Sequence, residues 1–417
     1  MSTFDGVVQE IPFISVDRFD VKREPMPKIF FLTHCHTDHT KDIFDFTFQK
    51  KLIENNAFVY ATSVTIAVLK KDYNLSYIFS QLKEIEVGKT TLISYKDDDE
   101  NEQHLQVTAI TAGHCPGSVM FFFEGDQNVL CTGDFRIDPS ELHKFKVFHT
   151  STDRKKTIDA IYLDSTFFSK KYPHFPSRKE TCDALCKTIQ DWLDQAPDRK
   201  VFLKFPAKYS AEYLFIALAK NLKQIIHVPT SKRLYSFIPE MDDVVSSQND
   251  INNYRIHTGL YFNSKNSNYS CCYFNDKKSI LLIILTATIW ENFSSNKSPV
   301  KICENENVET IRICLSFHPS YKETIDFLKY LKPKRVELCV VPEKEEDKEE
   351  MEQLLDTVLK EIWKDTTNKE GNVKRFKFKT YDSFEFKEEN DVCVNNGYTN
   401  VKKDLLSSPP RKKKDVN

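Results

Sequence analysis

The sequence predicts an α/β protein, and three stretches carry that prediction. Up to about residue 155, short apolar runs alternate with polar loops, the spacing of short strands. From Ile158 onward strands alternate with amphipathic helical stretches, which implies crossover helices over a small parallel sheet. Residues 309–342 then read as strand, loop, helix, strand.

In the first part the strands are KIFFLTH (28–34), AFVYAT (57–62), LQVTAITAG (105–113), SVMFFFEG (118–125) and NVLCTGD (128–134). Polar residues that carry chemistry sit where these strands end, where rigid scaffolds place it. DAIYLDSTF (159–167) reads as a strand and a turn. Residues 176–195 read as a helix, because Ser177 and Glu180 form a capping box and Cys182, Leu185, Ile189 and Trp192 share one face. KVFLKF is a strand, SAEYLFIALAKNL a helix and KQIIHV a strand. Residues 233–275 are polar and Asn/Ser-rich and take no assignment. Ser320 and Glu323 repeat the capping pattern ahead of a second helix. The end of the chain thins into a polar tail, and no internal repeat is present.

With 40% hydrophobic and 29% charged residues, composition is that of a globular protein, and 32 Phe and 17 Tyr exclude global disorder. The formal net charge of −2 does not advertise nucleic acid. It does not exclude it, because binding depends on a local basic face. The acidic runs 97–102 and 343–352 read as solvated surface. The longest apolar run, ILLIIL (280–285), is too short for a bilayer, and the start of the sequence has no leader pattern. Eleven scattered cysteines complete the expectation of a reduced, intracellular, soluble protein with free thiols and no membrane partner.

The densest signal is THCHTDHT, which packs His34, His36, Asp38 and His39 into six residues after a strand. Side chains two apart in extended chain point the same way, so His34 and His36 aim at one point and the Asp38–His39 pair at a second. Imidazole with carboxylate suits zinc or a similar metal. Further ligands must come from elsewhere, and His114 in TAGHCPGS and Asp134 in CTGDFR, both at strand ends, are the candidates. Gly113 and Gly133 beside them permit tight loops. Asp134 has two oxygens with which to bridge two metals. Asp17 in SVDRFD is expected to fix a ligand histidine from behind. Metals held in this way lower the pKa of water toward about 7 and clamp attacking and leaving oxygens. The residues alone therefore say metal-assisted hydrolysis, of an ester, thioester, lactam or phosphodiester.

THCHTDH, AGHCPGS and TGDFR resemble the metal motifs of the metallo-β-lactamase family. YLDSTF and SFHPSY resemble the added motifs of its β-CASP branch, which contains nucleic-acid nucleases, and ISVDRFD with GHCPGSVMFFFEG resembles that branch's DNA-repair subgroup. The resemblance implies a metallo-β-lactamase αββα sandwich with an inserted α/β β-CASP domain. The expected division is residues 1–157 for the first part of the sandwich, 158–308 for the β-CASP domain, 309–385 for a return segment and 386–417 for a disordered basic tail. It also implies a first metal on His34, His36 and His114 with Asp134 shared, and a weaker second metal on Asp38, His39 and Asp134. Asp38, Asp164 and His318 are then the expected catalytic set, with His318 protonating the leaving oxygen, as an imidazolium can near neutral pH. RNA-processing members carry a further histidine where this sequence has Val340. Its absence implies DNA as substrate, one tight Zn2+, and a loose second site open to Mg2+ or Mn2+. Rival readings are an RNA-processing endonuclease, a non-catalytic nucleic-acid-binding scaffold and a small-molecule hydrolase.

Members of the subgroup also hold a structural zinc with two histidines and two cysteines. His227 and His257 match the histidines and Cys271 or Cys272 one cysteine, but Gly259 stands where the other belongs, so a closed site is incomplete. Phosphate contacts are expected from Arg136, Lys170, Lys171, Lys204 and Lys208. PPRKKK (409–414) reads as a nuclear-localisation or DNA-contact patch. The expectation is a nuclear, monomeric DNA endonuclease or 5′–3′ exonuclease acting on ends, overhangs or hairpins in non-homologous end joining. DNA-dependent protein kinase and end-joining factors are the partners implied, an expectation weakened by the short tail.

Overall fold

The computed structural model describes residues 2–364, apart from 22–24, 73–74, 97–100, 208, 229–234, 237, 248–252, 259–276 and 304–307. The chain divides into two units, residues 1–369 and 370–417, and every described residue belongs to the first. The expected basic tail and its PPRKKK stretch lie outside the described residues.

Three sheets organise the fold. The first is parallel, in the order β1 (Ile14–Val16), β2 (Ile29–Phe31), β3 (Phe58–Ala61), β4 (Leu82–Glu84). The second contains β5 (Thr90–Lys96), β6 (Glu102–Thr111), β7 (Val119–Glu124), β8 (Val129–Cys131) and β9 (Ala160–Leu163), antiparallel as far as β8. The third holds β10 (Lys200–Lys204), β11 (Ile226–His227), β12 (Val245–Ser246), β13 (Ile256–Thr258), β14 (Ile280–Thr286), β15 (Val300–Cys303) and β16 (Glu309–Cys314). It runs in the order β12-β11-β13-β10-β14-β16-β15 and is parallel except for β15. The chain then returns to the second sheet, where β17 (Arg335–Leu338) pairs parallel to β9.

Alternation across the strands forces the layers. Phe31 of β2 and Phe121 and Phe123 of β7 fill a core between the first two sheets, with Val16, Val107 and Tyr162. Met120 and Phe122 point the other way, where Leu130, Ile161 and Leu163 join them. That outer face is covered by α5 (Tyr321–Leu331) and α6 (Glu345–Lys364), through Phe327, Leu328, Leu355 and Val358. Phe30, Val59 and Ala61 on the first sheet's outer face pack on α1 (Phe46–Glu54) and α2 (Ser63–Asp72). The result is the expected αββα sandwich. Its outer core runs on without a break into α3 (Arg178–Leu193) and α4 (Glu212–Leu222) of the inserted segment, through Leu185, Ile189 and Leu214.

Both capping boxes form, at Ser177–Glu180 and at Ser320–Glu323. The acidic run read as solvated surface opens α6, where carboxylates favour the positive end of the helix dipole, and Leu355, Val358 and Ile362 supply its buried side. Sheet membership changes after Leu163 and again after Cys314, a few residues beyond the 157/158 and 308/309 divisions. The eight described cysteines are all free, and among the described residues no helix is long and apolar enough to cross a membrane.

Candidate metal centre

The loop after β2 is built around Asp17, which follows β1 in a left-handed conformation (φ 56°) that aspartate tolerates. One carboxylate oxygen accepts from the Thr33 backbone N–H at 2.7 Å. The other accepts from the Thr33 hydroxyl at 2.7 Å and lies 2.8 Å from Nδ1 of His39. Asp17 therefore braces His39 from behind. Gly133 (φ +50°) lets the strand carrying Asp134 approach this loop, since a Cβ there would lie 2.6 Å from the Thr33 hydroxyl oxygen.

Three imidazoles then converge. Nε2 of His34 lies 3.1 Å from Nδ1 of His36, and Nε2 of His114 lies 2.9 Å from the same atom. Asp134 Oδ2 is 3.6 Å from the converging nitrogens of His34 and His114. Four ligands at zinc–nitrogen and zinc–oxygen distances in a tetrahedron are about 3.3–3.4 Å apart, and these separations bracket that edge.

The far side of each ring fixes its proton. His36 Nε2 donates to the Tyr209 carbonyl at 2.6 Å, and His114 Nδ1 donates to the Phe317 carbonyl at 2.9 Å. The Thr33 hydroxyl spends its hydrogen on Asp17, so it accepts from His34 Nδ1 at 3.0 Å. Each inward nitrogen is therefore a bare lone pair. Burial, with the neighbouring histidines, holds His34 and His114 well below their ordinary range, and burial also lowers His36. Neutral imidazoles facing one another with a carboxylate are mutually repulsive until a cation sits among them. That donor set fits a divalent metal.

A second position adjoins the first. Asp134 turns its other oxygen, Oδ1, to within 3.2 Å of His39 Nε2, and Asp38 Oδ2 lies 3.9 Å from that nitrogen. His39 Nε2 is buried and, among the described residues, has no well-aligned hydrogen-bond partner. Burial opposes a charge on this ring, but Asp134 and Asp17 outweigh it and raise His39 well above its usual range. The carboxylates that draw a proton there also suit a cation. Asp134 stays ionised: burial opposes it, yet His39 and His318 hold it well below the carboxylate range.

His318, in the loop after β16, places Nδ1 2.8 Å from Asp164 Oδ2 and 4.0 Å from Asp134 Oδ2. Asp164 is fixed in turn by the backbone N–H groups of Phe135 at 3.3 Å and Thr166 at 3.0 Å, and by the Thr166 hydroxyl at 2.6 Å. Burial would lower His318, but Asp164 and then Asp134 push it up to about 9. A cleft of about 530 Å³ opens onto His36, Asp38, His114, Asp134 and His318, with Val340 in its wall. A larger hollow of about 1080 Å³, beside Lys28, Tyr60 and Tyr95, contains no histidine or cysteine. The chemistry follows the donors and not the volume.

The expected phosphate contacts divide. Arg136 is 5% exposed and spends four of its five N–H groups inside the protein, on the Ser316 and Pro176 carbonyls and on Glu323, so it does not face a ligand. Lys170 and Lys171 are exposed but line a separate hollow shared with Glu291, Asp347 and Glu350, whose charge repels phosphate. Lys204 is exposed at the end of β10, and Lys208 lies outside the described residues. His227 and His257 are buried partners across β11 and β13, with Nδ1 atoms 3.2 Å apart. Cys271 and Cys272 lie outside the described residues, as does Gly259. The motifs did not announce the backbone groups that aim the ligands. These are the carbonyls of Tyr209 and Phe317, and the Ser2 N–H, which donates to Asp38 Oδ2 at 3.1 Å.

Residues 242–344 match the family described as DNA repair metallo-beta-lactamase. Protein artemis of Danio rerio is 34% identical over 352 residues, covering 82% of this chain and 54% of that protein. Protein artemis of Homo sapiens is 33% identical over 353 residues, covering 82% and 50%. The 5′ exonuclease Apollo of Mus musculus is 32% identical over 189 residues, covering 45% and 32%. The chain thus spans about half the length of the artemis proteins it matches. With the sandwich fold and the histidine–aspartate cluster, these matches make the chain similar to the DNA repair metallo-beta-lactamase family and to metallo-β-lactamase/β-CASP proteins of the Artemis kind.

Proposed function

We propose that this chain is a metal-dependent DNA nuclease that processes ends, overhangs or hairpins in double-strand break repair by non-homologous end joining. One observation carries the reading: a single cleft brings a His/Asp cation site and a carboxylate-backed histidine to within 4.0 Å of one another. His34, His36, His114 and Asp134 would hold one tight Zn2+. Asp38, His39 and Asp134 would hold a looser cation, Mg2+ or Mn2+, because Val340 brings no further donor. Bound there, divalent cations supply an acidified water at neutral pH and neutralise charge on the phosphoryl oxygens.

The protein's own residues do the rest. His318 holds a proton where an alkoxide leaves phosphorus, and Asp164 orients its ring and favours the charged form. Asp17 fixes the tautomer of His39. Asp38 is both a cation ligand and the residue whose loss should stop turnover. The resemblance supports a nuclear location and DNA-dependent protein kinase with end-joining factors as partners. The inserted β-CASP unit is taken as the segment between β9 and α5, close to residues 158–308.

The test is cleavage of end-labelled hairpin, overhang and single-stranded DNA, and of a matched RNA hairpin, with defined metals and with or without the kinase. DNA cleavage that D38N and H318A abolish is expected. Preference for RNA, or wild-type rates in both variants, would overturn the reading.

A further inference from the structure

Arg178, at the first turn of α3, belongs to the inserted segment and not to the strands that carry the ligands. Its Nη2 donates to the Gly113 carbonyl and, at 3.1 Å, to the Arg136 carbonyl. Gly113 immediately precedes His114, and Arg136 follows Asp134 by two residues. One guanidinium nitrogen therefore ties together the loops that bring two of the four converging ligands. The loops are already so close that a Cβ at Gly113 (φ +66°) would lie 2.7 Å from the Arg136 carbonyl oxygen. They share one backbone bond, from Arg136 N–H to the Ala112 carbonyl at 2.9 Å.

Arg136 extends the tie to a third loop. Its Nη1 donates to the Ser316 carbonyl at 2.9 Å, and the Ser316 hydroxyl donates to the His318 carbonyl at 2.7 Å. Its Nη2 reaches the Pro176 carbonyl at 2.8 Å, just ahead of α3. Glu323 lies 3.1 Å from Arg136 and offsets part of the charge of the two arginines, while the Tyr213 ring of α4 lies 5.2 Å from the Arg178 guanidinium carbon. Carbonyl oxygens of several loops thus point into one space and repel unless planar, multiply donating cations fill it.

We propose that Arg178 is a positioning residue for the metal centre: it fixes the spacing of His114 and Asp134 and, through Arg136, sets His318 against them. In its catalytic consequence the proposal rests on the nuclease reading. Its metal consequence does not.

The test uses the whole chain with R178K and R178M, and T181V as a control. Thr181 lies one turn along α3 and donates to the Cys314 carbonyl at 3.0 Å, so T181V removes a tie of the same helix that touches no ligand loop. Each protein is checked for a cooperative melt, loaded with zinc and challenged with graded chelator, and retained metal is measured. Lysine keeps the charge but not the planar fork, so R178K carries the test if R178M does not fold. Both Arg178 variants should lose zinc at least tenfold more readily than wild type, and T181V should not. On a DNA hairpin, kcat should fall at least tenfold in R178K with KM within twofold. Wild-type zinc retention in R178K overturns the proposal, as does equal loss in T181V. Raised KM with zinc retention intact also overturns it, since Arg178 would then be a phosphate contact. Zinc retention is read without substrate, so failure of the nuclease reading leaves this outcome distinct.

Discussion

Replacing Asp164 with Asn removes the charge beside His318 while keeping the side chain's shape. Oδ1 would go on accepting from Thr166, but an amide nitrogen would take the place of Oδ2, which lies 2.8 Å from His318 Nδ1. Moving an imidazole from 6.5 to about 9 corresponds to about 3.4 kcal/mol in favour of its charged form. Asp164 is the larger of the two attractive charges, ahead of Asp134, and burial opposes both. Because burial opposes them, the two charges together exceed that net figure, so giving Asp164 somewhat more than half makes about 2 kcal/mol a floor, a fall of at least about 1.5 pH units in D164N. The sign follows from the role. The acid must be protonated, so turnover holds below the folded pKa and is lost as pH rises through it. A bound cation acts in the same direction as burial and lowers both proteins' limbs without removing their separation. The assay is kcat from pH 6 to 10 at saturating metal, with a ring-carbon NMR titration of His318 in chelator-treated protein. In that protein the stabilisation from His318 is fully present below pH 6.5 and lost as pH rises through about 9. An alkaline limb unmoved in D164N, or moved upward, would refute the assignment.

Three further outcomes are expected. D17N removes Oδ2, the acceptor shared by the Thr33 hydroxyl and His39, and should weaken metal binding about 10–100-fold, read by metal content after dialysis. G133A forces a left-handed alanine against Thr33 and should cost about 1–3 kcal/mol, read by denaturant unfolding. V340H places an imidazole in the cleft wall and should make the second cation survive dialysis. Unchanged stoichiometry there would mean that Val340 does not border the second position.

The histidine–aspartate cluster was legible because each member sits in a short motif at a strand end, where glycine and a flanking hydrophobic run fix the local chain. The sandwich was legible for a related reason: adjacent phenylalanines such as Phe121 and Phe122 must face opposite cores. The helix at 345–364 was not, because its acidic first turns look like solvated loop until the buried side of Leu355, Val358 and Ile362 is seen. The phosphate contacts were not legible either. Arg136 follows Asp134 by two residues and looks like a ligand-facing cation, yet the Ser316 and Pro176 carbonyls and the Glu323 carboxylate take its donors. A basic residue's partners are set by what the fold brings near it, and its own motif does not record that.

The inserted segment helps to build the histidine–aspartate cluster and does not merely cover it. His34, His36, His114 and Asp134 all precede residue 158. Yet the tautomer of His36 is set by the Tyr209 carbonyl and that of His114 by the Phe317 carbonyl, both far downstream. Without those two acceptors each ring is free to carry its proton on the inward nitrogen, and the convergence of lone pairs is lost. The first 157 residues therefore hold all four members of this cluster but not the groups that point two of its rings inward. A cation bound at the cluster would, by fixing those rings, couple the sandwich to the inserted segment across the cleft onto which they open.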